Sequence, residues 1–451
     1  MEINNTNKEF YHALTIDKDV CVGCANCMSV CPTEAIRIRN GKAELYNNKC
    51  IDCGACYKVC PVKAIYIKQD DFKNIQNYKY RIALVPAILI GQFSHNIRTS
   101  QIYAAIKELG FTHVYEVENA AATIVEAYKK YMKKHKLQKP FISPFCPAVV
   151  RLIQVRFPSL VKNIIHFGVP FDFAANSIRK RLSNAGIKNE DIGMFYITPC
   201  AAKIASVKSP VEDVISPING VINMDLIYNK IQSLITKSMP PVQSLNHALR
   251  GKDVLFSLTA GEKSRFEGRS FAIDGMKNII EFLEQLENQE KTNVDFLELR
   301  ACNQSCAGGV LTVANRFLAM ERLNDRCKAI DKMNEERGMP KQGEKLDIDE
   351  QTYKKLIIPE IKPRPILKVG DNIKNSLRRL QEMENIINTL PGVHCCMCGA
   401  PNCSAFAEDI VRGNAKITDC IFYNDKPENI KKKLCEIWGK NKFFKTNNDE
   451  N

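Results

Sequence analysis

The spacing of apolar positions changes character several times along the chain. Near the N-terminus, two short alternating segments, "AIRI" (35–38) and "AIYI" (64–67), predict short strands. From about residue 80, "YRIALVPAILI" (80–90) predicts a buried strand, and "TSQIYAAIKELG" (99–110) has helical spacing closed by Gly110. "THVYEV" (112–117) returns to a strand and "NAAATIVEAYKKYMKKH" (119–135) to a helix. Such alternation predicts an α/β domain with a largely parallel sheet and helices on both faces. Residues 326–390 are charged with helical spacing, as in "NIKNSLRRLQEMENIINTL", and read as a linker plus one amphipathic helix. The polar, basic stretch 426–451 predicts a frayed tail.

Composition adds a compartment. The chain has 451 residues, 45% apolar and 25% charged, enough for roughly two to four globular domains. No N-terminal stretch has the pattern of a secretion signal. The longest apolar run, "IALVPAILIG", is too short to cross a bilayer and is interrupted by Pro86. These features predict a cytoplasmic protein, where disulfides do not persist, so 19 cysteines mean metal or redox chemistry. The net charge of +14 does not argue for nucleic acid. That count omits thiolates, and four oxidised four-thiolate cubanes at roughly −2 each would remove about eight positive charges. The basic runs "KKYMKKHKLQK" and "NIKKKLCEIWGKNKFFK" read as solvated faces, or as a docking surface for an acidic electron carrier.

Cys21, Cys24, Cys27 and Cys31 form C-x2-C-x2-C-x3-C, followed by Pro32; Cys50, Cys53, Cys56 and Cys60, followed by Pro61, repeat it 29 residues later. This spacing resembles the two-cluster bacterial ferredoxin signature. Three close cysteines wrap one corner of a cubane, and the fourth reaches only the other cluster. Cys21, Cys24, Cys27 and Cys60 are therefore assigned to one 4Fe–4S cluster, and Cys50, Cys53, Cys56 and Cys31 to the second. A pair of zinc sites would need neither the third close cysteine nor the proline. Gly23 and Gly54 suit tight loops around sulfide.

Three further cysteines stand where predicted strands end: Cys146 after "KPFISPF", Cys200 after "GMFYITP" and Cys302 after "VDFLELRA". In open α/β folds ligands bind beyond the carboxyl ends of strands, so residues distant in sequence can converge there. Cys306, four residues after Cys302, shares its face if the segment is helical. One such cysteine is usually a small buried apolar residue; four in this arrangement point to a metal site.

"SPFCPAVV", "TPCAAKIAS" and "ELRACNQSCAGG" resemble the three signatures of the FeFe-hydrogenase catalytic domain. The resemblance spans about residues 80–325 and includes "VPAILIG" and the spacing from Cys146 to Pro158 and Pro170. It implies that Cys146, Cys200, Cys302 and Cys306 hold a 4Fe–4S cluster, with Cys306 bridging to a diiron subcluster bearing CO, cyanide and a dithiolate. It also implies that Lys203 donates to an iron-bound cyanide and that Pro86 and Ala87 line the diiron pocket. Taken on its own, Lys203 could equally be a surface lysine.

The departures from the family pattern cluster on its proton path. The proton-donor cysteine before the first ligand is Phe145 here. The family's glutamates align with Ala127 and Lys130, its serine with Ile165, and a later glutamate with Ser206. Methionines near the diiron unit become Thr198 and Arg300, and the run of three glycines after the bridging cysteine shortens to "AGGV". General acid–base transfer needs a titratable group within hydrogen-bond reach, so the family's relay is missing at each aligned station. The pattern resembles the branches of the family read as sensory more than its fast hydrogen producers.

Near the C-terminus, Cys395, Cys398, Cys403 and Cys420 in "LPGVHCCMCGAPNC" and "ITDCIFY" resemble the small 4Fe–4S domain of anaerobic iron–sulfur enzymes, with a four-cysteine zinc site as the alternative. Cys327, Cys396 and Cys435 read as ordinary thiols, although Cys396 could substitute as a ligand, and His394 reads as a surface residue.

The expected organisation is a ferredoxin domain (1–75), a hydrogenase-like α/β domain (76–325), a helical linker (326–384), a C-terminal cluster domain (385–425) and a basic tail (426–451). The expected function is a slow interconversion of protons, electrons and H2, or sensing of H2 or redox state. The alternative is a non-catalytic electron-transfer or signalling protein whose central domain holds only a cubane. Expected partners are a soluble carrier such as ferredoxin and a signalling partner, with neither nucleic acid nor membrane. Four complete cysteine sets predict about sixteen iron atoms per chain before any diiron unit. Elemental analysis after anaerobic reconstitution checks this; about twelve iron with one zinc would make the C-terminal module a zinc site.

Overall fold

The computed structural model describes residues 10–210, 215–235, 249–288, 293–338, 349–364 and 373–423. The basic tail and Cys435 lie outside the described residues. The chain forms two compact units. The first comprises Met1–Thr15, Cys50–Lys58 and Ile65–Arg364, and the second Ile16–Lys49, Val59–Ala64 and Pro365–Asn451.

The first unit contains two parallel sheets, in line with the expected α/β fold. Its strands are β1 (Tyr80–Val85), β2 (His113–Glu116), β3 (Phe141–Ile142), β4 (Ile192–Thr198), β5 (Gly220–Asn223), β6 (Ser270–Asp274) and β7 (Phe296–Arg300). One sheet has the order β2-β1-β4-β5 and the other β6-β7-β3. Ile82 faces His113 and Met194, Phe195 faces Gly220, and Phe296 faces both Ser270 and Phe141, all in parallel register. Every residue of β4 and β7 is buried, as parallel strands covered on both faces require.

Helices α1 (Ala121–Lys134), α2 (Pro147–Arg156), α3 (Pro170–Asn184), α4 (Ala201–Lys208) and α5 (Arg316–Glu336) accompany these sheets. Pro147 and Pro170 occupy first-turn positions, where the missing N–H costs nothing. Among the described residues no helix is long and apolar enough to cross a membrane.

The repeat seen in the sequence is also a backbone repeat. Left-handed residues occur at Gly23 and Asp52, at Ala25 and Gly54, and at Glu34 and Lys63. Each pair is 29 positions apart. The two glycines of the motifs thus fill different members of the same pair of left-handed positions. The Ala35 N–H donates to Cys31 Sγ and the Ala64 N–H to Cys60 Sγ, both at 3.2 Å.

Within the second unit, the hairpin Ile36–Arg39/Lys42–Leu45 turns at Asn40-Gly41, both with positive φ, as its tight turn demands. The C-terminal module packs against this hairpin. The Ile38 N–H donates to Gly399 O at 2.9 Å, and Arg39 Nη1 donates to Cys398 O at 2.9 Å. Asp409, fully buried, accepts from Arg37 Nε at 2.6 Å and Arg39 Nη2 at 2.7 Å. Helices Ile373–Thr389 and Cys403–Val411 close a core of Leu390, Ala405, Phe406 and Ala407. Removing one partner of a buried ion pair strands the other, so Asp409→Ala is expected to destabilise the second unit by about 3–5 kcal/mol. Urea unfolding of the anaerobic protein, followed by cluster absorbance, measures this; the paired change Arg37→Met with Asp409→Leu is expected to recover most of the loss.

Candidate functional site

The two sheets direct their carboxyl ends to one place, and the sequence provides a cysteine at each end. Cys146 caps α2 after β3, Cys200 caps α4 after β4, Cys302 follows β7, and Cys306 lies in the short turn Ser305–Gly308. Burial pushes the Cys200 thiol up to about 12, with Cys306 and Cys146 adding to the rise. Cys302 is raised by burial and then by Cys200, Cys146 and Cys306. Four half-buried cysteines, two of them with raised thiols, are a donor set for an iron core, whose positive charge takes them as thiolates. The residues present therefore fit a cubane.

The loops are shaped for this convergence. Thr198, where the family has methionine, clamps the Cys200 turn: its hydroxyl donates to Cys200 O at 3.1 Å and accepts the Cys200 N–H at 3.3 Å. Gln304 and Ser305 are left-handed, and Asp274 Oδ2 accepts the Gln304 N–H at 3.0 Å. A Cβ on Gly309 would lie 2.6 Å from Pro199 O, so this glycine allows the Cys306 turn to approach the Cys200 loop. Lys58, from the second ferredoxin motif, donates to Gly308 O at 2.8 Å.

Beside Cys306 is a cavity lined by Pro86, Glu118, Phe145, Tyr196, Lys203 and Phe256, among others. It has about 350 Å³ of non-atom space, part of it open to solvent. Lys203 is 4% exposed, and its Nζ lies 3.6 Å from Cys306 Sγ. Burial works to lower its pKa, but Cys306, Tyr196 and Cys200 outweigh burial and hold it raised and charged. A surface lysine is thereby ruled out. Pro86 lines the cavity together with Ile88, whereas Ala87 is fully buried and its N–H is engaged by Glu118 Oε2 at 2.9 Å. The Cys306 thiol, the Lys203 ammonium beside it and this wall fit the diiron unit that the family resemblance implies.

Two departures from the family pattern meet in space. The Phe145 ring has the Arg300 guanidinium 3.6 Å from its centroid and Lys203 Nζ at 4.8 Å. Phe256 meets it edge-on at 5.6 Å. Arg300 is buried and pairs with Glu262 at 2.7 Å and Glu298 at 3.7 Å. Glu298 also accepts the backbone N–H groups of Ala260, Glu262 and Lys263. Ser143 donates to Glu262 at 2.8 Å and accepts the Phe145 N–H at 3.2 Å. Burial raises the Glu262 carboxyl, against the pull of Arg300.

The remaining aligned stations are scattered. Ala127 and Ile165 are fully buried and apolar, and Ser206 is 6% exposed. Lys130 points outward, paired with Glu350 at 2.5 Å and lying over the Tyr353 ring.

Sequence reasoning missed several groups. The charges inside the apolar runs "FLELR" and "AVVRLIQV" were a usable signal, since a charge at a core position needs a partner. The first run supplies Glu298 and Arg300. The second supplies Arg151, which donates to Asp52 at 3.0 Å; Asp52 also binds His12 Nδ1 at 2.8 Å.

Cys21, Cys24, Cys27, Cys31 and Cys60 belong to the second unit, and Cys50, Cys53 and Cys56 to the first. The Ala43 N–H donates to Cys21 Sγ at 3.4 Å, and the Asp52 N–H to Cys50 Sγ at 3.4 Å. Cys395, Cys398, Cys403 and Cys420 line one cavity, together with Cys396 and His394. Cys396 Sγ donates to Pro401 O at 3.2 Å, and His394 Nδ1 accepts the Cys403 N–H at 3.1 Å. Cys327 Sγ lies 3.9 Å from Asp331, away from these sets.

Residues 80–247 match the family model of the iron only hydrogenase large subunit, C-terminal domain. The matched segment holds Cys146, Cys200 and Lys203; Cys302 and Cys306 lie beyond it. Residues 13–61 match a 4Fe-4S dicluster domain, and residues 390–422 match a small Fe-S cluster model. A stretch of 32 residues is 44% identical to Ferredoxin-2 of Desulfomicrobium norvegicum, covering 7% of this chain and 54% of that protein. The chain thus spans about half the length of that relative.

Among solved structures, one FeFe-hydrogenase HydA1 variant from Chlamydomonas reinhardtii is 14% identical, with 63% of this chain and 94% of that chain covered and a TM-score of 0.46. A second HydA1 variant is 15% identical over the same shares, with a TM-score of 0.45. The fold and its cysteine sets define an iron–sulfur protein with an α/β core. More narrowly, the chain is hydrogenase-like, with an N-terminal two-cluster ferredoxin domain and a C-terminal Fe–S module.

Phe145→Ala is expected to destabilise the first unit by about 3–5 kcal/mol, through the cavity and the lost ring. Phe145→Leu keeps most of the volume but loses the ring face, and is expected to cost about 1–3 kcal/mol. Thermal unfolding of the two variants beside the parent measures both.

Proposed function

We propose that the chain interconverts protons, electrons and H2 at low rate, serving as a sensor of H2 or redox state in the cytoplasm. The observation that carries this reading is the buried Lys203 ammonium 3.6 Å from Cys306 Sγ, on the wall of a cavity at the carboxyl ends of two sheets. In this reading Cys146, Cys200, Cys302 and Cys306 hold a 4Fe–4S cluster, and Cys306 also bridges to the diiron subcluster. When bound, that subcluster would supply the metal at which H2 is made or split. Lys203 would hold it through a charge-assisted hydrogen bond to cyanide, and Pro86 would shape the pocket.

Cys21, Cys24, Cys27 and Cys60, then Cys50, Cys53, Cys56 and Cys31, and finally Cys395, Cys398, Cys403 and Cys420 would hold the accessory cubanes. Electrons would come from a soluble carrier such as ferredoxin. Lys58, bonded to Gly308 O, supports passage from the second ferredoxin motif to the central site. The low rate follows from Phe145, a ring that neither gives nor takes a proton, and from the apolar Ala127 and Ile165.

The second reading, a non-catalytic electron-transfer or signalling protein with only a cubane at the centre, is favoured by those same apolar positions. Lys203→Ala separates the two. A lost charge-assisted hydrogen bond is worth about 1.5–3 kcal/mol, or about 10- to 100-fold in affinity. Protein co-expressed with the maturation enzymes is therefore expected to lose diiron occupancy on this change, read as infrared CO and cyanide bands, while cubane iron stays constant. Equal loss of both would give Lys203 a folding role, and a parent without such bands would favour the second reading.

A further inference from the structure

The cavity beside Cys306 has a carboxyl in its wall, that of Glu118. Glu118 follows β2 in the short turn Val117–Ala120 and is 3% exposed. Its Oε2 accepts the Ala87 N–H at 2.9 Å, and it shares the cavity lining with Lys203, Phe145 and Cys306. A carboxyl taken this far out of water is kept only where it is partnered or used.

The next carboxyl lies two residues back along the chain. Glu116 is fully buried and is held by Arg326 of α5 at 2.5 and 2.8 Å and by the Tyr103 hydroxyl. The Arg326 side chain is 13% exposed, so this polar line reaches solvent. Glu262 and Glu298, the buried carboxyls paired with Arg300, are not among the residues lining this cavity.

We propose that Glu118 is the proton-exchanging group of the central cavity, standing in for the thiol lost at position 145, with the Glu116 carboxylate on its way to solvent and Arg326 holding that carboxylate in place. The proposal rests on the hydrogen-converting reading of this site. The step is proton transfer alone. The Glu118 O–H bond breaks, the proton passes to a water in the cavity, and the carboxylate left behind is stabilised by the Ala87 N–H and the Lys203 ammonium. The proton returns along the Glu116 side, and the electrons travel separately through the iron–sulfur clusters.

Transfer through a single water keeps a carboxyl within working reach. The electrostatics agree. Burial, and then the Glu116 carboxylate, raise Glu118 to about 8, while the Ala87 N–H and Lys203 pull the other way. Tyr196 and Arg326 are the other titratable or charged groups that face this region. Glu118 is thus protonated below about pH 8 and ionised above it, close to the optimum for a group that must both give and take a proton.

The test uses the full chain in two states. In protein carrying cubanes but made without maturation enzymes, infrared difference spectra against pH are expected to show a protonated-carboxyl band fading near pH 8, apart from the bands of Asp172 and Glu262, which burial also raises and which persist in every Glu118 variant. Glu118→Gln keeps the size and the acceptor for Ala87, and is expected to remove that band without changing iron content. Glu118→Asp is expected to retain a band at a shifted pH.

In matured protein, Glu118→Gln is expected to lower H2 production, normalised to diiron bands, by about 10²-fold or more. It is also expected to abolish the rate change near pH 8. Survival of that band in Glu118→Gln, or a matured variant with the parental rate and pH profile, overturns the proposal. If the parent takes up no diiron unit, the hydrogen-converting reading falls instead. The pH titration of the cubane-only protein then still decides whether Glu118 exchanges protons: a missing band overturns the assignment and a present one supports it.

Discussion

Four sulfurs that repel one another as anions must be brought to one buried point, and the architecture of the first unit follows from that requirement. No local motif can do it here, because Cys146, Cys200 and Cys302 are each more than 50 residues apart. Parallel strands of the two sheets solve the problem by handing the chain over, at their carboxyl ends, to the segments that carry Cys146, Cys200 and Cys302. The details of the loops serve this geometry. Thr198 ties down the Cys200 turn, Asp274 fixes the left-handed Gln304, and Gly309 lets the Cys306 turn close on Pro199.

The same concentration of negative charge explains the buried cations. Lys203 and Arg300 bracket the Phe145 ring, with Arg300 balanced by Glu262 and Glu298. Positions 145 and 300 therefore depart from the family pattern together for a physical reason. An arginine here needs a partner face and buried carboxylates, and a phenyl ring offers the face that a thiol cannot. Phe145 is thereby a packed apolar ring where the resembled pattern has a thiol. The wall of the nearby cavity carries Glu118, a carboxyl on another element with its own polar neighbours.

The second unit solves a smaller version of the same problem with local means. Its cysteines are close in sequence, and short loops with left-handed residues can wrap them around a cluster. The longer-range element is the pairing of Arg37 and Arg39 with Asp409, which fixes the C-terminal module on the hairpin of the first ferredoxin repeat. The cavity lined by Cys395, Cys398, Cys403 and Cys420 is thereby built on a firm base.

The sequence by itself determined whatever depends on short spacing. The 29-residue cysteine repeat, the strand-then-cysteine pattern at Cys146, Cys200 and Cys302, and the loss of the thiol at Phe145 are all local facts. Cluster ligation, strand period and side-chain acidity act over a few residues, so they can be read there. Tertiary structure alone decided the rest. It set which strands pair in which of the two sheets, because pairing partners such as β3 and β7 are separated by more than 150 residues. It set Arg300 on Phe145 and Glu118 in the cavity wall, since neither contact has a sequence period. It also made Lys203 a buried neighbour of Cys306 rather than a surface charge, because burial is a property of how segments stack.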